Sequence, residues 1–347
     1  MLWKKGWQAS PHSLSVAPMK VLVTGGGGFL GRHVVERLLA RGMDVRILGR
    51  SPQPELEKRG VEVVRGDIAE AAAVDRAVAG TQAVFHVAAK AGVWGPREEY
   101  FNANVLGTRH VLSACARHGV KRLVYTSTPS VVFSGEAFNG ADESLPYGKN
   151  WLCPYPETKA QAEQEVLAAN GRDGLRTCAL RPHLIWGVGD PHIVPRLVDR
   201  ARRNRLRIVG DGQNRVDITH VKNAALAHVL ALDALESGTA AGQAYFLSQG
   251  EPVVLWDWIN QLLERLGEPV VKRSITAKTA YRAGRALEWI YKNFRLPGEP
   301  AMTRFVAVEL SKDHWFDISA ARRDLGYTPE VSTEEGLEGL IADWKNR

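Results

Sequence analysis

The 347-residue chain holds 45 Lys and Arg against 38 Asp and Glu, with 45% hydrophobic and 24% charged residues. These proportions exclude a disordered or fibrous chain, allow two lobes at about 150 residues per domain, and make the excess of seven positive charges a solvated basic surface rather than a nucleic-acid footprint. Cys115, Cys153 and Cys178 are widely spaced with no CxxC pair, which argues against a disulfide framework or metal site and for a reducing cytoplasm, and no run reaches the roughly 18 apolar residues of a membrane-spanning helix.

Residues 1–18 contain Trp3, Lys4, Lys5 and Trp7 but no apolar core of signal-peptide type, and are expected to be a poorly ordered extension. From Lys20 the apolar rhythm repeats. Val21-Leu22-Val23, Val45 to Leu48, Val61 to Val64, Ala83-Val84-Phe85 and Leu123-Val124-Tyr125 alternate with helical patterns, and a further strand is expected around Thr177 to Arg181. Short buried strands separated by amphipathic helices predict an α/β fold: a Rossmann-type doubly wound parallel sheet. The nucleotide-binding domain is placed at 19–181, with Val216 to Thr219 and the rest of 212–247 returning to its sheet. A smaller α/β substrate lobe on the C-terminal side takes 182–211 and 248–347.

The first strand runs into Thr24-Gly25-Gly26-Gly27-Gly28-Phe29-Leu30-Gly31. Gly25, Gly28 and Gly31 suit a tight turn, approach of the backbone to a pyrophosphate and close packing of helix on strand. The second strand ends in Gly49-Arg50-Ser51 without the acidic residue that would accept from a ribose 2′-hydroxyl. Arg50 offers a guanidinium to a 2′-phosphate, so NADPH is expected rather than NADH. Asp67 is placed either to meet the adenine edge or to cap the next helix.

Tyr155-Pro-Glu-Thr-Lys159 sets a phenol and an ammonium one helical turn apart. Lys159 on the same face is expected to hold Tyr155 below the usual tyrosine value near 10, making it general acid in reduction and general base in reverse. Thr128, following a strand, is placed to hold the substrate oxygen, with Ser127 as the competing hydroxyl. Asn104 either supports Lys159 through a water or is a buried structural amide.

These motifs resemble the extended short-chain dehydrogenase/reductase family over almost all of Lys20 to Arg347, and within it the 3β-hydroxysteroid dehydrogenase branch. The resemblance rests on Phe85-His86-Val87-Ala88-Ala89-Lys90 to Gly95, Tyr125 to Val131, and Arg181-Pro182-His183-Leu184-Ile185-Trp186-Gly187. It implies a catalytic trio of Thr128, Tyr155 and Lys159. It also implies cofactor contacts at Phe29, Leu30, Ile68, Ala88, Ala89, Lys90, Asn104 and Pro182. Bacterial members of the branch imply NADPH reduction of a β-keto acid bearing two alkyl chains, in long-chain olefin biosynthesis. The alternatives are a sterol dehydrogenase or an epimerase or dehydratase of nucleotide sugars.

Where the sugar-nucleotide enzymes commonly carry Arg-Tyr-Phe-Asn, this chain has Arg181-Pro182-His183-Leu184, replacing a polar anchor with an apolar one. Val93, Trp94, Ile185 and Trp186 are candidates to line a cleft for alkyl chains, and His183, His192 and Arg215 to meet a carboxylate. A basic, aromatic stretch from Val270 to Leu296 fits a cover over a lipid-like substrate, a membrane-surface contact or an acidic partner. A homo-oligomer is expected, with other enzymes of the same olefin pathway as candidate partners.

Overall fold

A computed structural model describes residues 18–346; the expected N-terminal extension lies outside the described residues except for Pro18. The apolar runs form strands β1 (Lys20–Thr24), β2 (Asp44–Gly49), β3 (Glu62–Arg65), β4 (Ala83–His86), β5 (Arg122–Thr126), β6 (Arg176–Pro182) and β7 (Ala244–Leu247). They make one sheet in the order β7-β6-β5-β4-β1-β2-β3, every pairing parallel. Parallel strands need crossovers, and the crossovers cover both faces. Helix α1 (Phe29–Ala40) lies on one face; α2 (Ala71–Val78), α3 (Gly107–His118) and α4 (Pro154–Ala168) lie on the other, and α5 (Val221–Ser237) joins α1. Val21, Leu22, Val23, Phe85, Leu123 and Val124 are thereby fully buried.

Strand order reverses between β1 and β4, so the loops after these two strands part and leave a crevice at their C-terminal ends. The glycine turn and the segment after His86 both open there.

A second sheet of four short strands runs Val253–Val254, Arg215–Val216, His314–Phe316, Phe138–Ala141. It corrects the expected course of Val216 to Thr219. Val216 joins this small sheet and Thr219 pairs with Ile185, because Val216 and Ile218 are drawn into a separate apolar core with Trp186, Trp258, Ile259 and Leu262. Only β7 and α5 of that region return to the large sheet and its helices. Helices α6 (Ala277–Asn293) and α7 (Arg304–Glu309) complete the lobe. They touch closely at Gly284, where a Cβ would lie 2.6 Å from the Thr303 carbonyl carbon.

Candidate active site

The glycine turn is built as its spacing predicts. Gly25 has φ +70°, a left-handed conformation that favours glycine, and Gly31 packs so tightly that a Cβ would stand 2.1 Å from the Gly25 carbonyl oxygen. Gly28 is exposed and caps α1 without a side chain. The first-turn N–H groups of Phe29 and Leu30 therefore have no side-chain acceptor, and the positive end of the helix faces the crevice.

Arg50 is exposed at the end of β2 and has no hydrogen-bond or ion-pair partner among the described residues. Sequence reasoning missed a second such group. Arg65 ends β3 in register with Gly49 and is equally exposed and unpaired among the described residues, so two guanidiniums flank the strand ends. The parallel register that aligns β2 with β3 is the signal that would have found it. Asp67 accepts from the Ala69 N–H at 2.9 Å, a turn that precedes α2 and does not cap it: the N-cap position is Glu70, with no side-chain bond. Ile68 is buried against Gly107.

A directed hydrogen-bond chain fixes the segment after β4. Thr108 donates to the Asn104 carbonyl at 2.6 Å, so it accepts from His86 Nε2 at 2.9 Å. His86 Nδ1 then accepts from Thr24 Oγ1 at 2.8 Å, and Thr24 accepts from the Ala88 N–H at 3.1 Å. Burial, then the Lys159 charge, lower His86 to about 3, so the ring is neutral, as this chain requires. Thus β1 and β4, the strands that flank the crevice, are tied together, with Ala88 and Ala89 on its rim.

Asn104 sits in a π-helical turn, Phe101–Leu106. Its side chain accepts from the Lys90 N–H at 2.7 Å and donates to the Lys90 carbonyl at 3.1 Å and to Thr158 Oγ1 at 3.0 Å. It clamps the loop after β4 to the first turns of α4. The Lys90 ammonium is itself paired with Glu99 at 2.8 Å.

Helix α4 carries both chemical residues. Pro154 and Pro156 set its first turn, where missing N–H groups cost nothing. The Thr128 side chain draws the Tyr155 phenol down against burial, while Thr128 Oγ1 donates to Ser130 Oγ and accepts from the Ser130 N–H, both at 3.2 Å. Thr128, rather than Ser127, is therefore the hydroxyl beside the phenol. Ser127 Oγ is buried with no partner.

Lys159 departs from expectation. Only 2% exposed, it donates to the Thr126 carbonyl at 2.6 Å and lies 4.1 Å from the Tyr125 ring centroid. Burial pushes the Tyr155 phenol up to about 12, not below 10. Desolvation has outweighed the expected attraction because the lysine head is directed to the end of β5. Burial likewise lowers Lys159 to about 7, against the raising influence of Glu163 one turn along. Glu163 is fully buried and held by Arg181 at 2.5 Å and by the Tyr147 hydroxyl at 2.8 Å; Pro182 follows Arg181 at the end of β6.

Of the residues proposed to line a substrate cleft, Val93 packs in a cluster with Tyr155, Phe133, Cys153, Phe305 and Val308. Trp94 meets Tyr291 of α6 edge to face, with ring centroids 6.3 Å apart. Trp186 does not line the cleft: it is fully buried in the small lobe's core against Trp258. Ile185 pairs with Thr219 and packs against the large sheet's core. His183 is buried and bonded to His314 at 2.6 Å. His314 Nε2 donates to the Glu309 carbonyl at 2.7 Å, so His314 Nδ1 accepts from His183 Nε2–H. That relay borders a small cavity lined also by Ser130 and Phe133. His192 and Arg215 are exposed, and the Arg215 guanidinium lies over the Trp315 ring, 5.7 Å from its centroid.

Taken together, the glycine turn and an open helix N-terminus at the β1–β4 crevice fit a nicotinamide dinucleotide. Comparison with known proteins agrees with this architecture. The chain is 54% identical over 329 residues to the 2-alkyl-3-oxoalkanoate reductase of Stenotrophomonas maltophilia, covering 93% of this chain and 99% of that protein. It is 45% identical to the Shewanella oneidensis protein of the same name, covering 96% and 89%. A solved structure of MoeE5 in complex with UDP-glucose and NAD superposes with a TM-score of 0.72 at 28% identity, covering 94% of this chain and 99% of that one. The model of the 3-beta hydroxysteroid dehydrogenase/isomerase family matches residues 22–276, and the chain belongs to that family, as an oxidoreductase of the extended short-chain dehydrogenase/reductase type.

Proposed function

We propose that the protein reduces a 2-alkyl-3-oxoalkanoate, a β-keto acid with two alkyl chains, to the 2-alkyl-3-hydroxyalkanoate with NADPH. The observation that carries the reading is the Tyr155–Thr128 hydroxyl pair set against an apolar cluster of Val93, Phe133, Phe305 and Val308. A ketone oxygen finds two hydroxyl partners there, and alkyl chains find apolar walls. The identity of 54% to a reductase of that name supports the substrate class.

The residues divide the work. The turn from Gly25 to Gly31 would hold the pyrophosphate, and Arg50 and Arg65 the 2′-phosphate, while Lys159, bonded to the Thr126 carbonyl, fixes the end of β5 beside them. When bound, NADPH supplies the hydride. Thr128 orients the ketone oxygen, and Tyr155 donates its phenolic proton to that oxygen, giving the alcohol. Burial keeps Tyr155 protonated at neutral pH, the state a proton donor needs. A cytoplasmic location accords with three free, buried thiols.

Cofactor oxidation followed with a long-chain 2-alkyl-3-oxo acid, a 3-ketosteroid and a nucleotide sugar tests the proposal. Turnover should be fastest with the β-keto acid. Turnover of the nucleotide sugar alone would overturn it, and preference for the ketosteroid would move the substrate to the sterol class.

A further inference from the structure

Helix α6 carries a stripe that the proposed chemistry does not use. Lys278, Arg282, Arg285, Trp289 and Lys292 recur at alternating spacings of four and three, which places them on one helical face, and all five are exposed. Trp289 is 61% exposed and Phe294, just past the helix, 66%; the two rings meet edge to face at 6.3 Å. Arg295 and Leu296 extend the exposed run.

The charges on this face are uncompensated. None of the four cations, nor Arg295, has an ion-pair partner among the described residues. The one carboxylate of α6, Glu288, is turned inward and paired with Arg304 at 2.6 Å. The opposite side of the helix, at Ala280 and Gly284, is buried. Below the stripe a groove of about 470 Å³ runs between α6 and α7, with Ala277, Tyr281, Ala307 and Val308 among its walls. It shares Val308 and Lys312 with the cavity bordered by Ser130 and His183.

We propose that this face seats the protein on an anionic lipid surface, with Trp289, Phe294 and Leu296 entering the headgroup layer and the cations meeting lipid phosphates. No described helix is long and apolar enough to cross a membrane, which leaves contact in the interfacial plane. Aromatic rings prefer the headgroup level, and juxtaposed cations add electrostatic attraction. The charge selects the occupant. A second copy would oppose the same basic stripe to itself, and residues 1–17 carry Lys4 and Lys5 with no acidic residue, so neither complements it. The groove then opens toward the source of long alkyl chains.

Sedimentation of the full chain with vesicles of phosphatidylcholine, with and without phosphatidylglycerol, reads this out independently of any reductase activity. The protein should pellet with the anionic vesicles, remain in solution with phosphatidylcholine alone, and be released by high salt. In Arg282→Glu/Arg285→Glu the affinity should fall by at least about fivefold for each cation lost, and Trp289→Ser/Phe294→Ser should also weaken it. Both pairs are surface positions, and unchanged melting temperatures confirm folding. Failure of the unaltered protein to bind anionic vesicles overturns the proposal, even if it binds an acidic polypeptide. Undiminished binding by both folded variants overturns it too.

Discussion

Tyr155 shows how far a residue pair can be read before its surroundings are known. The sequence places Lys159 one turn away, which is correct as backbone geometry, but the direction of the ammonium is set by the Thr126 carbonyl and the Tyr125 ring. The protein's own charges therefore do not acidify the phenol. In the protein alone, the near-UV phenolate difference between the unaltered chain and Tyr155→Phe should show no ionisation of Tyr155 below about pH 10; a transition near neutrality would contradict the burial argument. Arg50 is simpler, since it is exposed, unpaired and beside an equally unpaired Arg65. Arg50→Ala and Arg65→Ala should each weaken NADPH about 10- to 100-fold, the worth of a charge-assisted bond, while leaving NADH affinity nearly unchanged. Cofactor titration separates the two, and equal losses would remove the 2′-phosphate assignment.

At the scale of elements, legibility followed burial pattern. Strands β1, β4 and β5 are covered on both faces, so they are written as continuous apolar runs and could be recognised without alternation. The turn into α1 was legible because Gly25 and Gly31 answer to local backbone needs. The small sheet was not, since its strands Arg215–Val216 and Val253–Val254 are two residues each, too short to carry a period. Asn104 was visible as a candidate, yet only the fold shows that it joins the π-helical turn, the Lys90 loop and Thr158. Asn104→Ala should cost about 1–3 kcal/mol in denaturant unfolding, because it leaves the part-buried Lys90 N–H and the buried Thr158 hydroxyl without this partner; no change in the midpoint would show the clamp to be dispensable.

For the whole molecule, the doubly wound half was legible and the substrate half was not, for a reason of sequence distance. The relay of His183 with His314 spans 131 residues, and a core tryptophan such as Trp186 looks in sequence like a cleft-lining one. What distinguishes them is which lobe's core the side chain falls into. Glu163 makes the same point. It is buried against Arg181 and Tyr147 and is the group that raises Lys159 against burial. Glu163→Gln should lower the Lys159 titration further below about 7 and cost about 3–5 kcal/mol of stability by leaving Arg181 unpaired. Thermal unfolding and the pH profile of turnover check the two effects separately. The limb that reports Lys159 should move to lower pH; a limb that stays in place would uncouple these groups.

In the proposed reaction Tyr155 gives the proton in NADPH-dependent ketone reduction. Turnover of a long-chain 2-alkyl-3-oxo acid by Tyr155→Phe, measured together with its NADPH affinity, tests this most directly. Turnover should fall about 10²- to 10⁴-fold with cofactor binding nearly intact; unchanged turnover with weakened NADPH binding would remove Tyr155 from proton transfer.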